Sequence, residues 1–142
     1  DGSMDRSKTP QKAKNASNFI NIFLDHWQDK FAISDHDTFL VGFSQGSMMA
    51  LEVGTKRQVG GLVCYSGSFI NTAKTLSYKP NIILIHGDID EVIPIQNMIS
   101  AKNKLIDLGA NVTTFKCIGV GHSIDKIGIS KGIEFIKKCK IK

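Results

Sequence analysis

Three short stretches of this 142-residue chain carry side chains whose types and order suit nucleophilic catalysis. The first is Gly42-Phe43-Ser44-Gln45-Gly46, preceded by the apolar run Phe39, Leu40, Val41 and followed by the helix-like stretch from Ser47 to Val53. A serine hydroxyl is a weak nucleophile until a base takes its proton, and the base must itself be held by an acid. In a Gly-x-Ser-x-Gly elbow the serine sits on a sharp strand-to-helix turn, where small flanking residues let the backbone bend and the hydroxyl stand clear of the sheet. The pattern alone is weak and describes many tight turns; the strand before it and the helix after it give it weight.

The second stretch begins as Ile82-Ile83-Leu84-Ile85, with the length and β-branching of a buried strand, and discharges into His86-Gly87-Asp88-Ile89-Asp90-Glu91. The third, Val112 to Ile118, ends in Gly119-Val120-Gly121-His122-Ser123. The chain therefore presents a serine, an acidic loop and a histidine in the order Ser, Asp, His, each at the C-terminal end of a strand, where open parallel sheets collect their ligands. His122 alone could be an ordinary loop histidine, and only the three motifs together favour catalysis. His86 precedes the acid and is expected to brace its loop through hydrogen bonds, with Asp88 ordering the same turn. His26 and His36 read as surface residues. Met48 and Met49 read as packing beneath the elbow.

The remaining chain supplies elements to hold these loops. Thr9 can cap a helix with Pro10 at its first position, and Ala16, Phe19, Ile20, Phe23 and Trp27 recur at helical spacing on one face; the helix should end before Ser34. Gly61 to Tyr65 reads as a strand, followed by a polar loop to Pro80 that could wall a pocket. Pro94 is expected to open a helix that Gly109 stops. Gly128 and Gly132 each disfavour helix by about 1 kcal/mol relative to Ala, so the last helix is expected near Ser130, with Ile129, Ile133 and Ile136 facing inward. A helix, four strands with intervening crossovers and a final helix imply an α/β fold with a mainly parallel four-stranded sheet.

Composition narrows the alternatives. Such a chain is one domain able to bury about 68% of its unfolded surface. No run approaches the roughly 20 apolar residues of a membrane span, and no signal peptide is visible. Cys64, Cys117 and Cys139 lie far apart without metal-type spacing, which favours reduced thiols in a cytoplasm and no bound metal or cofactor. The net charge of +5 gathers partly in Lys131, Lys137, Lys138, Lys140 and Lys142. These read as a solvated helix end; without interleaved aromatics they make no nucleic-acid groove. Asp1-Gly2-Ser3 reads as an expression-tag remnant before Met4, so residues 1–8 are expected as a disordered lead and 9–142 as the domain.

Gly-Phe-Ser-Gln-Gly-Ser-Met-Met-Ala at 42–50, His-Gly-Asp-Ile-Asp-Glu-Val-Ile-Pro at 86–94 and Gly-His-Ser-Ile-Asp at 121–125 resemble the phospholipase/carboxylesterase family of serine hydrolases, which includes acyl-protein thioesterases. The resemblance covers nearly all of the chain past the first helix; Ser47 departs from the glycine often found there. It implies a truncated α/β-hydrolase fold and a cytoplasmic, metal-free esterase acting on small acyl esters or thioesters, with Ser44, Asp90 and His122 as the triad. Asp90, not Asp88, falls on the family's acid.

The mechanism needs two oxyanion donors, the first being the N–H of Gln45. The second should come from an upstream strand ending in His-Gly, and no run of four apolar residues precedes Thr38. The resemblance thus implies that the family's N-terminal half-sheet is absent and that the nucleophile strand becomes an exposed edge. Such an edge invites pairing, either with a second copy as a homodimer or with a complementing N-terminal fragment. The other reading is a catalytically impaired fragment kept as a binding or oligomerising module.

Overall fold

A computed structural model describes residues 9–70 and 74–141 of the chain. The expected tag remnant and lead over residues 1–8 lie outside them.

The first helix, α1 (Thr9–Phe31), begins with Pro10 in its first turn, where a missing N–H leaves no bond unmade. It ends as expected before Ser34. Ala32 adopts a left-handed φ of 53°, and the Ile33 N–H donates to the Gln28 carbonyl at 2.9 Å, a Schellman-type stop built without glycine. A 3-10 turn, Asp35–Asp37, follows, with the Ser34 Oγ accepting from the Asp37 N–H.

The sheet contains β1 (Phe39–Phe43), β2 (Gly61–Tyr65), β3 (Asn81–Gly87) and β4 (Asn111–Cys117), all parallel and ordered β1-β2-β3-β4. Val41 pairs with Val63, Cys64 with Leu84 and Ile85 with Phe115, so the C-terminal ends of the strands line one edge of the sheet. β2 is buried along its whole length and β3 beyond its first residue; that double-sided burial explains their near-continuous apolar runs.

Helices α2 (Gln45–Gly54) and α3 (Gln96–Asp107) cover one face, where Leu51, Leu62, Ile82 and Leu105 form the larger core. Helix α4 (Lys126–Ile141) covers the other over Val63, Tyr65, Ile83 and Ile85. Helix α3 starts at Gln96, two residues after Pro94, and stops as predicted. Gly109 takes a φ of 95°; its N–H donates to the Ile106 carbonyl at 2.9 Å and that of Ala110 to the Leu105 carbonyl at 3.0 Å, completing a Schellman motif.

The expectations for α4 and for the elbow methionines are corrected. Helix α4 starts at Lys126, not near Ser130, because Asp125 caps it: the Gly128 N–H donates to its Oδ1 at 2.7 Å. Its inward face is built on Gly128 and Gly132, both buried, while Ile129 and Ile133 are exposed. A Cβ at Gly132 would collide with the Tyr65 Oη, which donates to the Gly128 carbonyl at 3.0 Å. Gly132, which weakens the helix in isolation, is what lets it approach the sheet.

In α1 the apolar stripe is not the packed face. Ser17, Ile20, Asn21, Leu24 and Gln28 are the sheltered positions, whereas Phe19, Phe23 and Phe31 are exposed. Met48 and Met49 are half-buried flank residues, outside the buried core beneath the elbow.

Candidate active site

The elbow forms at the junction of β1 and α2. Ser44 sits at φ 58°, ψ −114°, a backbone conformation that costs a non-glycine residue on the order of 1–3 kcal/mol. It is held there by donation of its own N–H to the Tyr65 carbonyl at 2.8 Å and by the Met48 N–H bonding its carbonyl at 3.2 Å. Gly42 is required, since a Cβ there would run into the Gly46 carbonyl and lie 2.6 Å from the Ser47 nitrogen. Gly46 is not required in the same way, because nothing lies within 4 Å of where its Cβ would be. The Ser44 side chain makes no capping bond to α2, which leaves the N–H of Gln45 among the unpaired donors of the helix's first turn.

The β3 and β4 loops are tied together. The Asp88 N–H donates to the Cys117 carbonyl at 3.0 Å and the Ile89 N–H to the Val120 carbonyl at 3.1 Å. The Gly119 N–H donates to the Asp88 Oδ1 at 2.7 Å, with Gly119 itself at a φ of 74°. Asp88 therefore orders the loops, as expected, and its bond reaches across to the histidine loop.

Asp90 is buried and its carboxylate is fully engaged. Its Oδ1 accepts the Val92 N–H at 2.9 Å and the Ile93 N–H at 2.8 Å. Its Oδ2 accepts the His122 Nδ1–H at 2.8 Å. Burial alone would raise its pKa; the His122 bond, the Ile93 and Val92 amides and the histidine's charge together outweigh that and hold it below the ordinary aspartate value. His86, buried beside it, donates its Nε2–H to the Ile93 carbonyl at 2.7 Å and lies 3.5 Å from the Asp90 Oδ2. It braces the loop as predicted.

With Nδ1 donating, His122 presents its Nε2 lone pair to Ser44, whose hydroxyl donates at 3.1 Å. The structure thus brings Ser44, His122 and Asp90, distant in sequence, into one hydrogen-bonded line. The Phe43 ring lies 4.8 Å from the imidazole centroid at 41° and flanks its exposed side. Sequence reasoning finds neither this contact nor the two amides on Asp90, although an aspartate four residues before Pro94 is an available signal for a side-chain-capped turn.

β1 is the outer strand of the sheet, so among the described residues no strand lies beyond it to bring a second loop to Ser44. Among those residues there is also no cluster of His, Cys, Asp and Glu able to hold a metal ion, and no helix long and apolar enough to cross a membrane.

A parallel sheet with an elbow at the end of one strand, an acid after the third and a histidine after the fourth defines a truncated α/β-hydrolase fold. The chain belongs to the phospholipase/carboxylesterase family, whose model matches residues 2–140. It is 30% identical over 115 residues to the esterase YpfH of Escherichia coli, a match covering 79% of this chain and 49% of that protein. It is 26% identical over 138 residues to acyl-protein thioesterase 1 homolog 1 of Dictyostelium discoideum, covering 91% of this chain and 60% of that one. Among solved structures, esterase PE8 superposes with a TM-score of 0.84 at 33% identity, covering 89% of this chain and 61% of its own. The chain thus spans about half the length of the E. coli relative and three fifths of the other two.

Proposed function

We propose that this chain carries the catalytic serine, acid and base of a hydrolase for small carboxylic esters or thioesters, working through an acyl-enzyme in the cytoplasm. The observation that carries the proposal is the line Ser44 Oγ, His122 Nε2 at 3.1 Å, His122 Nδ1, Asp90 Oδ2 at 2.8 Å. Ser44 attacks the acyl carbonyl as its proton passes to His122 Nε2, and the imidazolium then protonates the departing alkoxide or thiolate. A water enters, gives its proton to His122 and its oxygen to the acyl carbon, and the imidazolium returns that proton to the Ser44 oxygen as the acyl bond breaks and the acid departs. Asp90 holds the Nδ1–H tautomer and stabilises the imidazolium. The Gln45 N–H donates to the developing oxyanion.

Among the described residues no strand beyond β1 brings a second oxyanion donor to Ser44, and lack of one such donor typically lowers turnover about 10²- to 10³-fold. For that reason the active form in this proposal is the chain with its β1 edge completed by another polypeptide segment. The exposed edge also supports the other reading, an impaired hydrolase fragment retained for binding.

Fluorophosphonate labelling with p-nitrophenyl acetate hydrolysis decides between them. Labelling of the wild type that disappears in Ser44→Ala and His122→Ala, with slow turnover, is the expected result. A folded chain that takes no label at Ser44 rejects the esterase.

A further inference from the structure

His86 stands behind the acid and takes no part in the hydrolytic steps. Its side chain is 1% exposed, and its Nε2 lies 2.7 Å from the Ile93 carbonyl. A carbonyl only accepts, so Nε2 carries the proton, and a neutral imidazole then leaves Nδ1 as a bare lone pair. Among the described residues no group donates to that nitrogen. Among them no fully enclosed polar side-chain atom lacks a partner either, so Nδ1 borders open space.

That space is a cleft between α2 and α3, beneath the loop that follows β2. Ser47, Cys64, Ser68, Met98 and Ala101 line it together with His86. Its volume is about 10 Å³, room for about one water. Two hydroxyls face the histidine across it. Ser68 accepts the Asn97 Nδ2–H at 2.7 Å and keeps its own O–H to donate. Ser47, hydrogen-bonded to the Cys64 thiol, keeps a lone pair to accept. Gly67 lets the loop close over both, since a Cβ there would fall 2.3 Å from the Ser47 Oγ.

We infer that this cleft is the binding site of one water, which donates to His86 Nδ1 and to Ser47 Oγ and accepts from the Ser68 O–H, and that His86, held in this way, is a positioning residue for Asp90. Three hydrogen bonds are the usual complement of a buried water. From there the bonds run on to the acid. Ile93 is gripped twice: its carbonyl takes the His86 Nε2–H, and its N–H donates to Asp90 Oδ1 at 2.8 Å. Asp90 in turn gives Oδ2 to His122. In the other tautomer Nε2 would turn a lone pair toward the Ile93 carbonyl and toward Asp90 Oδ2, 3.5 Å away, and would repel both. A water that donates to Nδ1 disfavours that tautomer. Because Ser47 lies in the first turn of α2, the same water also ties the elbow helix to the acid's loop. The positioning role depends on the proposed part of Asp90 in catalysis, whereas the water and the tautomer do not.

The test uses the full chain. A crystal structure with ordered waters is expected to show one in the cleft, within hydrogen-bond distance of His86 Nδ1 and of at least one of the two serine hydroxyls. Nitrogen NMR of the imidazoles at neutral pH is expected to find His86 as the Nε2–H tautomer. An empty cleft, or a His86 protonated at Nδ1, overturns the site. The positioning role is read from the His122 Nδ1 proton, whose exchange with solvent reports the bond to Asp90 whether or not the chain hydrolyses esters. His86→Leu is expected to speed that exchange about two- to tenfold, the effect of losing one hydrogen bond of ordinary net strength. His86→Gln, whose amide N–H reaches the place of Nε2, is expected to restore it. Exchange that is unchanged in His86→Leu, or equally fast in both variants, overturns the role. The double variant Ser47→Ala with Ser68→Ala keeps the histidine and serves where His86→Leu does not fold: a protonated Nδ1 population and faster His122 exchange are expected, and wild-type values of both overturn the inference. A chain that shows the water and the tautomer but takes no fluorophosphonate label keeps the water site and rejects the esterase.

Discussion

At the scale of residues, the acid of the site is the most constrained group. Asp90 has no access to solvent through its side chain and is held by the two amides and the imidazole. Its folded pKa lies below the ordinary carboxylate value, so its ionised form stabilises the fold. The contribution is fully present above the unfolded value of about 3.9 and is lost as pH falls through the lower folded value. Asp90→Asn removes the ionisation while keeping most of the volume. The expected outcome is a variant less stable than wild type in urea at pH 7, with the gap narrowing as the pH is taken below about 4. A gap unchanged between pH 7 and pH 3 would mean that the carboxylate's charge does not hold the loop.

The elements show where local preference yields to packing. Ala32 stops α1 in a left-handed conformation that is unfavourable for any residue with a Cβ by about 1–2 kcal/mol. Glycine removes that strain at some cost in unfolded-chain entropy, so Ala32→Gly is expected to raise stability by about 0.5–1 kcal/mol, read as a rise of about 2–4 °C in melting temperature. A fall would show that Ile33 and the Ser34 cap, rather than Ala32, control the exit. Gly132 of α4 obeys the opposite logic: alanine improves the isolated helix but has no space against Tyr65. The four strands are legible in the sequence because three carry short apolar runs and β4 a β-branched stretch, each bounded by polar or glycine-rich turns. The α4 start is not, because the glycine penalty argues for a later start and outweighs the weaker local signal of the Asp125 cap.

Over the whole molecule, one sheet separates two cores, and its thiols report on both. Burial, only partly opposed by the Ser47 hydrogen bond, pushes the Cys64 thiol up to about 12; burial, with Asp125 and Asp88 nearby, pushes Cys117 up to about 11. Neither offers a thiolate at neutral pH. Both are expected to resist Ellman's reagent at pH 8 in the native chain and to become reactive together across the denaturant transition. Early reaction of Cys64 alone would show that the α2 and α3 side opens before the α4 side. Three lysines of α4 are accounted for locally: Lys131 and Lys138 pair with Glu134 at 3.6 and 3.2 Å, and Lys140 reaches Asp37 at 3.7 Å.

Much of the candidate site is legible in the amino-acid sequence, because its chemistry lies in three contiguous motifs whose residue order is preserved along the chain. Ser44, His122 and the acidic loop, the parallel alternation of strands and helices, and the Gly109 stop are local patterns. What tertiary structure decided is everything that depends on a neighbour distant in sequence: that the Asp90 carboxylate, with its amide cradle, meets His122, that glycine is required at 42 but not at 46, and that α4 rides on glycines. It also turned the apolar stripe of α1 outward. Periodicity reveals that a helix has an apolar face, but only the positions of the surrounding elements determine whether that face is covered.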